Sequence, residues 1–391
     1  MTQIDQLNAK TEGLNGLLSP LNQQLLQHAA PHLLTDGEQE FPFLENIGYL
    51  RDKPALREQA IHYIKDGNLK EALKVLLKDQ DDFAPIPSPE NDALDRILDE
   101  RPGFLETMRL LNYGPVTEYF AHRPTAPTFL SGLTLLQLGA SREQPLIEVA
   151  CGAGHFLRSL EANGFSVTGI DLVFSKLWLA RKFMQIRGAL ICADSMAKPV
   201  FKSQKPNTVF CHDAFYFFKD KANTLINLRQ LAAGGSVIVG HVHTSAIDHG
   251  VSGHPVSEPE YRKMATENTI FYGDNELVDF WLNSNENQAI QPLISAENPV
   301  VSWIENPPEN PCAPLDQFAG TLHLNPMLSE TNKGFIINWP TPGYRKEYEK
   351  EMPYLIPEKL AQMDTNSVKN ASKTEQLVYF KERILLDTPA L

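Results

Sequence analysis

The chain has 391 residues, 42% apolar and 21% charged, the balance of a globular protein long enough for one enlarged domain or two to three modules. A formal charge of −13 and the lack of any Lys/Arg block argue against nucleic acid as the main partner, because phosphate backbones are held by clustered cations. No apolar run reaches the length of a membrane span. The opening MTQIDQLNAKTEGLNGLL has no charged start followed by an apolar core, so a cytoplasmic protein with no membrane partner is expected.

Residues 1–125 read as mostly helical. HLLTDGEQEFPFLENIGYL carries an Asp-Gly turn between apolar stretches, the mark of a small hairpin. LREQAIHYIKDGNLKEALKVLLK has apolar residues at helical spacing on both sides of Gly67-Asn68, which predicts an αα-hairpin. It resembles one tetratricopeptide unit, but a lone unit has no neighbour to stack on. PTFLSGLTLLQL adds an apolar-rich helix.

Strands and helices then alternate. Strands are predicted at Pro145 to Ala150, Ser166 to Asp171, Ala189 to Ala193, Thr208 to His212 and Ser236 to His241. VFSKLWLARKFMQIR and DKANTLINLRQLA are the clearest intervening helices, and Gly234-Gly235 ends the second. This pattern predicts an α/β fold with a parallel sheet and helices on both faces, over residues 126–243. Cys151, Cys192 and Cys211 sit at or next to strand ends, and Cys312 lies in a proline-rich loop. With no CxxC pair, they read as buried thiols and not as a zinc or disulfide framework.

From Val242 proline recurs. Strands are predicted at Val300 to Ile304, Phe335 to Trp339 and Val378 to Leu386. Residues 244–391 are expected to complete the sheet and cover a substrate site, since long ordered loops tend to be functional. The alternative is a tail that packs over the sheet or joins two copies in a homodimer.

The chemistry concentrates in EVACGAGHFLRSL. A dinucleotide fingerprint, G-x-G-x-x-G, would need a glycine at Leu157. Glu148 stands ahead of Gly152 and Gly154, where an anion would oppose a pyrophosphate but suit a cationic ligand. The loop therefore fits a ligand without phosphates.

The run Glu148, Ala150, Gly152 and Gly154 resembles the first motif of class I S-adenosylmethionine-dependent methyltransferases of the small-molecule bacterial type. Alanine replaces the first glycine, a mild change that denies positive φ there. The resemblance continues in order, through Asp171 at the end of the second strand, CADSMAKPVF, TVFCHDAFYFF and LRQLAAGGSVIVGHVH. It implies a Rossmann-like methyltransferase sheet with S-adenosylmethionine as cofactor. Asp171 would take both ribose hydroxyls beside Leu172. Asp194 would take the adenine amino group, with Ala193, Ser195 and Met196 lining the ring. His212 ends the fourth strand facing the cofactor.

Ligands of open α/β sheets lie beyond the carboxyl ends of the strands. His212 and Asp213, then His241 and His243, stand at the ends of the fourth and fifth strands. Asp248, His249 and His254 follow. Three readings stay open for the histidines: a general base near neutral pH, loop-capping side chains, or a metal site from His241, His243, Asp248 or His249. The base is expected at His241 or His243, with Asp213, His249 or His254 next in line and no metal. One or two of Phe215, Tyr216, Phe217 and Phe218 are expected in the acceptor pocket. The expected partner is a small-molecule methyl acceptor, a sugar or secondary-metabolite hydroxyl first and an amine second. A catalytically inactive methyltransferase-like scaffold is the rival from another class.

Overall fold

The computed structural model describes residues 16–81, 86–194, 198–203, 205–248, 250, 253–283, 290–293, 298–312 and 314–389. The N-terminal segment folds back on itself as β1 (Gln27–Ala30), β2 (Leu33–Thr35), β3 (Glu40–Leu44) and β4 (Ile47–Tyr49). The apolar runs further on become β5 (Leu146–Val149), β6 (Val167–Asp171), β7 (Ala189–Cys192), β8 (Thr208–His212) and β9 (Val237–His243). β10 (Thr269–Tyr272) and β11 (Val300–Glu305) complete one eleven-stranded sheet, in the order β1-β2-β3-β4-β7-β6-β5-β8-β9-β11-β10.

Strands β4 to β9 run parallel, and β11 lies antiparallel between β9 and β10. The central strands are buried on both faces, which is why they read as near-continuous apolar runs. This is the Rossmann-like α/β sheet. Strand order reverses between β5 and β8, and such switch points open a crevice at the carboxyl edge.

The helices are α1 (Pro54–Lys65), α2 (Leu69–Leu77), α3 (Asn91–Glu100), α4 (Phe104–Leu110), α5 (Val116–His122), α6 (Pro127–Gly139), α7 (His155–Ala162), α8 (Phe174–Lys182), α9 (Lys221–Ala232), α10 (Glu258–Met264) and α11 (Asp274–Asn283). The tail adds α12 (Pro342–Tyr348), α13 (Pro357–Leu360), α14 (Thr365–Lys369) and α15 (Lys373–Lys381). The core on one face joins α1 to α8, α11 and the tail; the core on the other holds Leu225, Phe215, Tyr261 and Trp303. Among the described residues no helix is long and apolar enough to cross a membrane.

Two local expectations need correction. Residues 27–49 are strands, so the N-terminal region is less helical than its composition suggested. The Asp36-Gly37 hairpin joins β2 to β3, but a second turn, Glu45-Asn46 with φ of 54° and 58°, adds β4. β4 then pairs with β7 and carries the meander onto the sheet. Of the strand expected at Val378 to Leu386, residues Val378 to Lys381 instead end helix α15. Ser372 and Glu375 form a capping box that starts α15, and the strand that follows, β15 (Leu385–Leu386), pairs with β12 (His323–Leu324) in a separate sheet; β13 (Leu328–Thr331) and β14 (Gly334–Ile337) pair with each other in another.

The tail is bound behind α6 and α7. Arg158 on α7 meets Asp387 at 2.7 Å, Arg383 donates to the Pro124 carbonyl, and the Cys312 N–H donates to Ala140. α12 packs against α5, where Tyr344 meets His122 edge-on with ring centroids 5.8 Å apart.

Candidate active site

β5 ends in a loop whose backbone turns left-handed at Ala150 (φ 59°), Gly152 (φ 53°) and Gly154 (φ 83°). Alanine thus adopts the positive φ that the sequence reading denied it, at a cost of about 1–2 kcal/mol. The loop is held in that shape by its neighbour strand. The Cys151 N–H donates to the Ile170 carbonyl, and the Gly152 N–H donates to Asp171 Oδ2 at 2.8 Å. A Cβ on Gly154 would lie 2.9 Å from Ala180 Cβ, so glycine lets α7 and α8 close together. A Cβ on Gly152 would lie 3.0 Å from the Phe120 ring of α5, which roofs the loop.

Beside this loop lies a pocket of about 230 Å³. Ala150, Asp171, Leu172, Ala193 and Asp194 form one wall, at the ends of β5, β6 and β7; Phe218 and Asp220 face them. The chain therefore brings Ala150, Asp171, Leu172 and Asp194 together, as expected of cofactor residues. Asp171 is 5% exposed, and each oxygen already accepts one backbone N–H, from Gly152 and from Val173. A second lone pair on each remains for a vicinal diol. Lys219, Asn223 and Thr224 complete the lining, so three carboxylates outnumber one cation. That donor set suits hydroxyls and an amino group better than a pyrophosphate and fits S-adenosylmethionine. Ser195, Met196 and His249 lie outside the described residues.

Of the expected cofactor residues, Gly152 and Gly154 shape the turn without lining this pocket, and Glu148 and His212 lie away from it. Glu148 is buried beneath the loop and accepts from the Leu157 backbone; burial pushes its carboxyl well up, against the pull of Arg123. Its side chain follows the strand alternation toward α7 rather than the crevice. His212 is wedged in the core, where a Cβ on Gly240 would come within 2.5 Å of its ring. Burial, reinforced by the Arg123 charge, drives its pKa down to about 3, so the neutral ring's Nδ1 accepts from Arg123 at 3.2 Å.

Past the switch point, the ends of β8 and β9 carry a buried polar cluster. Asp213 accepts from the Tyr119 hydroxyl at 2.7 Å and from the Tyr216 hydroxyl at 3.0 Å, with Arg123 at 3.4 Å. Burial alone would raise this carboxyl, but His241, Arg123 and the bond from Tyr119 outweigh it and hold it below the usual range.

β9 does not stay regular to its end. Gly240 and His241 together face Ser302 of β11, and His241 has φ 49°. This bulge takes His241 out of simple alternation with His243. The His241 Nδ1 lies 2.6 Å from Asp274 Oδ2. Burial opposes its charge, but Asp274 and Asp213 prevail and raise its pKa. His243 instead stacks on Tyr216, with ring centroids 4.3 Å apart. His254 is tied by its N–H to the Tyr216 carbonyl, and Asp248 caps a turn at Gly250. Among the described residues no three His, Cys, Asp or Glu side chains are grouped to hold a metal ion. Phe218 lines the pocket and Tyr216 joins the polar cluster, whereas Phe215 is core.

Sequence reasoning missed Tyr119, Arg123, Asp274 and Ser302, which reach the site from distant segments. Asp274 did carry a signal, an acid opening the helical pattern DNELVDFW, but a capping role explained it equally well.

Residues 147–239 match the family described as "Methyltransferase domain". No curated protein matches the chain. Among solved structures, the chain is similar to an SAM-dependent methyltransferase of Thermotoga maritima described as a possible histamine N-methyltransferase. The identity is 16% and the TM-score 0.35, covering 55% of this chain and 97% of that one. It is similar to a TehB-like SAM-dependent methyltransferase of Corynebacterium glutamicum at 15% identity and TM-score 0.33, covering 45% and 87%. The phosphoethanolamine N-methyltransferase 2 of Haemonchus contortus matches at 16% identity and TM-score 0.32, covering 44% and 46%.

Proposed function

Residues 147–239 match a methyltransferase domain, and we propose that the chain is a class I S-adenosylmethionine-dependent enzyme that methylates a hydroxyl of a small molecule, of sugar or secondary-metabolite type. The observation that carries this reading lies along one sheet edge. A pocket with Asp171 and Asp194 stands on one side of the switch point, and the imidazole of His241 on the other.

When bound, S-adenosylmethionine supplies a methyl group on a sulfonium; the acceptor oxygen's lone pair takes that carbon while the C–S electron pair returns to sulfur. The protein's share is alignment and proton removal. Asp171 and Asp194 bind the ribose and adenine ends, over the turn set by Ala150, Gly152 and Gly154. His241 takes the hydroxyl proton. Asp213, fixed by Tyr119 and Tyr216, orients the acceptor, and His243 lines the cleft against Tyr216. A neutral amine is already nucleophilic, so a partly exposed base of raised proton affinity favours the hydroxyl. The ionised Asp213 favours the second reading, an amine, because a carboxylate holds an ammonium.

Titration calorimetry tests the cofactor, with S-adenosylhomocysteine expected to bind and NAD not. S-adenosylhomocysteine release over a panel of phenols, sugars and amines tests the acceptor. His241→Ala should lower kcat about 10²- to 10⁴-fold with nearly unchanged cofactor affinity. Binding of NAD alone, or a full rate in His241→Ala, would refute the reading.

A further inference from the structure

We propose that Asp274 is the positioning residue of His241: it holds the imidazole with its proton on Nδ1 and leaves Nε2 as the acceptor for the substrate's hydroxyl proton. The proposal rests on the reading of His241 as the base.

The geometry is a closed ring of bonds drawn from separate elements. His241 Nδ1 lies 2.6 Å from Asp274 Oδ2, at the first residue of α11. The Ser302 hydroxyl of β11 donates to Asp274 Oδ1 at 2.8 Å, and its oxygen accepts the His241 backbone N–H at 2.9 Å. Ser131 of α6 donates to Asp274 Oδ2 at 3.1 Å. The carboxylate thus has three fixed partners, and the imidazole is tethered at both its backbone and its ring.

The bulge makes this ring possible. In a regular strand His241 would pair through its backbone with β11; here its N–H turns to the Ser302 side chain instead. Gly240 permits the turn in a place where a Cβ would strike His212 and Leu135. A strained residue held by several bonds beside a polar cleft is the kind of outlier that accompanies function.

A carboxylate accepts only, so its partner Nδ1 carries the hydrogen. Nε2 then keeps its lone pair, and among the described residues no side chain bonds it. The side chains of His241 and Asp274 are 15% and 17% exposed, so the pair is accessible and not sealed in the core. On proton transfer the O–H proton moves to Nε2 while the Nδ1 proton stays on the ring, hydrogen-bonded to Asp274. The resulting imidazolium faces Asp274 from α11, Asp213 and His212 from the end of β8, His243 from β9 and Arg123 from the turn after α5. The two carboxylates favour that charge, while Arg123 and burial oppose it. The same carboxylate is held ionised: burial would raise Asp274, but His241, with the Ser302 hydrogen bond, brings it down to about 2.

The test needs no acceptor. Full-length protein labelled with ¹⁵N-histidine is titrated from about pH 5 to 9 by long-range proton–nitrogen NMR, with His241→Gln assigning the resonance. Wild type should show His241 protonated on Nδ1 when neutral. Asp274→Asn should lower its proton affinity at least tenfold and mix the tautomers. A neutral His241 protonated on Nε2 in wild type overturns the proposal, whether or not the variant folds. So does an unchanged titration in a folded Asp274→Asn protein.

Turnover separates this idea from the reading beneath it. With the best acceptor from the panel, Asp274→Asn should lower kcat at least tenfold and shift the acid limb of the profile to lower pH, with KM for S-adenosylmethionine unchanged. A large loss in His241→Gln with none in Asp274→Asn sinks the positioning role and leaves the base standing. A full rate in His241→Gln sinks both.

Discussion

Replacing Asp171 by alanine should damage binding and folding together, by amounts the contacts set. The carboxylate accepts the Gly152 N–H at 2.8 Å and the Val173 N–H at 2.9 Å, and it is 5% exposed. Alanine leaves both N–H groups without this acceptor, and an orphaned buried donor costs about 1–3 kcal/mol. The ligand loses hydrogen bonds to a charged group as well, about 1.5–3 kcal/mol, or roughly 10- to 150-fold in Kd. Asp171→Asn separates the two effects. Its one carbonyl oxygen satisfies one backbone N–H, while its amide group opposes the other. It should therefore unfold between wild type and alanine, yet bind S-adenosylhomocysteine almost as weakly as alanine does. Thermal unfolding and titration calorimetry on the three proteins read both quantities. Wild-type affinity in Asp171→Ala would refute the assignment of the ribose site. An unchanged unfolding temperature would refute the loop-holding role.

Ala150→Gly should stabilise the protein by up to about 1 kcal/mol, because relief of the left-handed strain exceeds the added unfolded-state entropy; a lower midpoint in urea would show that Ala150 is not strained. Turnover should fall as pH drops through the His241 pKa, and the midpoint should lie above 6.5, since the base must be neutral and its folded pKa is raised. The same shift contributes stability that is fully present below pH 6.5 and lost as pH rises through the folded pKa, so His241→Gln should cost more stability at pH 5.5 than at pH 8.5. Asp387→Ala should cost about 3 kcal/mol by leaving Arg158 unpaired in a nearly buried site, measured by denaturant unfolding; a loss below about 1 kcal/mol would mean the tail is not anchored there.

The sheet core and the cofactor wall were legible in the sequence for a physical reason. Parallel strands buried on both faces must be continuous apolar runs, so LIEV, VTGID and TVFCH announce themselves. Chain order then fixes which residues stand at the carboxyl ends, and Ala150, Asp171, Leu172 and Asp194 meet at one pocket because their strands are neighbours. Short antiparallel strands give a weaker signal, and β4 was missed because its turn, Glu45-Asn46, lacks the glycine that usually marks one. Ala150 was misjudged because local steric preference yields when a loop is held from both sides by backbone bonds.

The acceptor side depended on tertiary structure. Asp274 and Ser302 lie 33 and 61 residues from His241 in sequence, and only the return of β11 beside β9 brings them to it. The bulge that aims His241 is a matter of register between those two strands, which residue spacing within β9 does not record. His212 occupies the same kind of position at the end of β8, yet packing against Gly132 and Gly240 makes it a neutral core ring. Strand-end position comes from the chain itself; what an imidazole there can do comes from the neighbours that desolvate it, charge it or hold its proton.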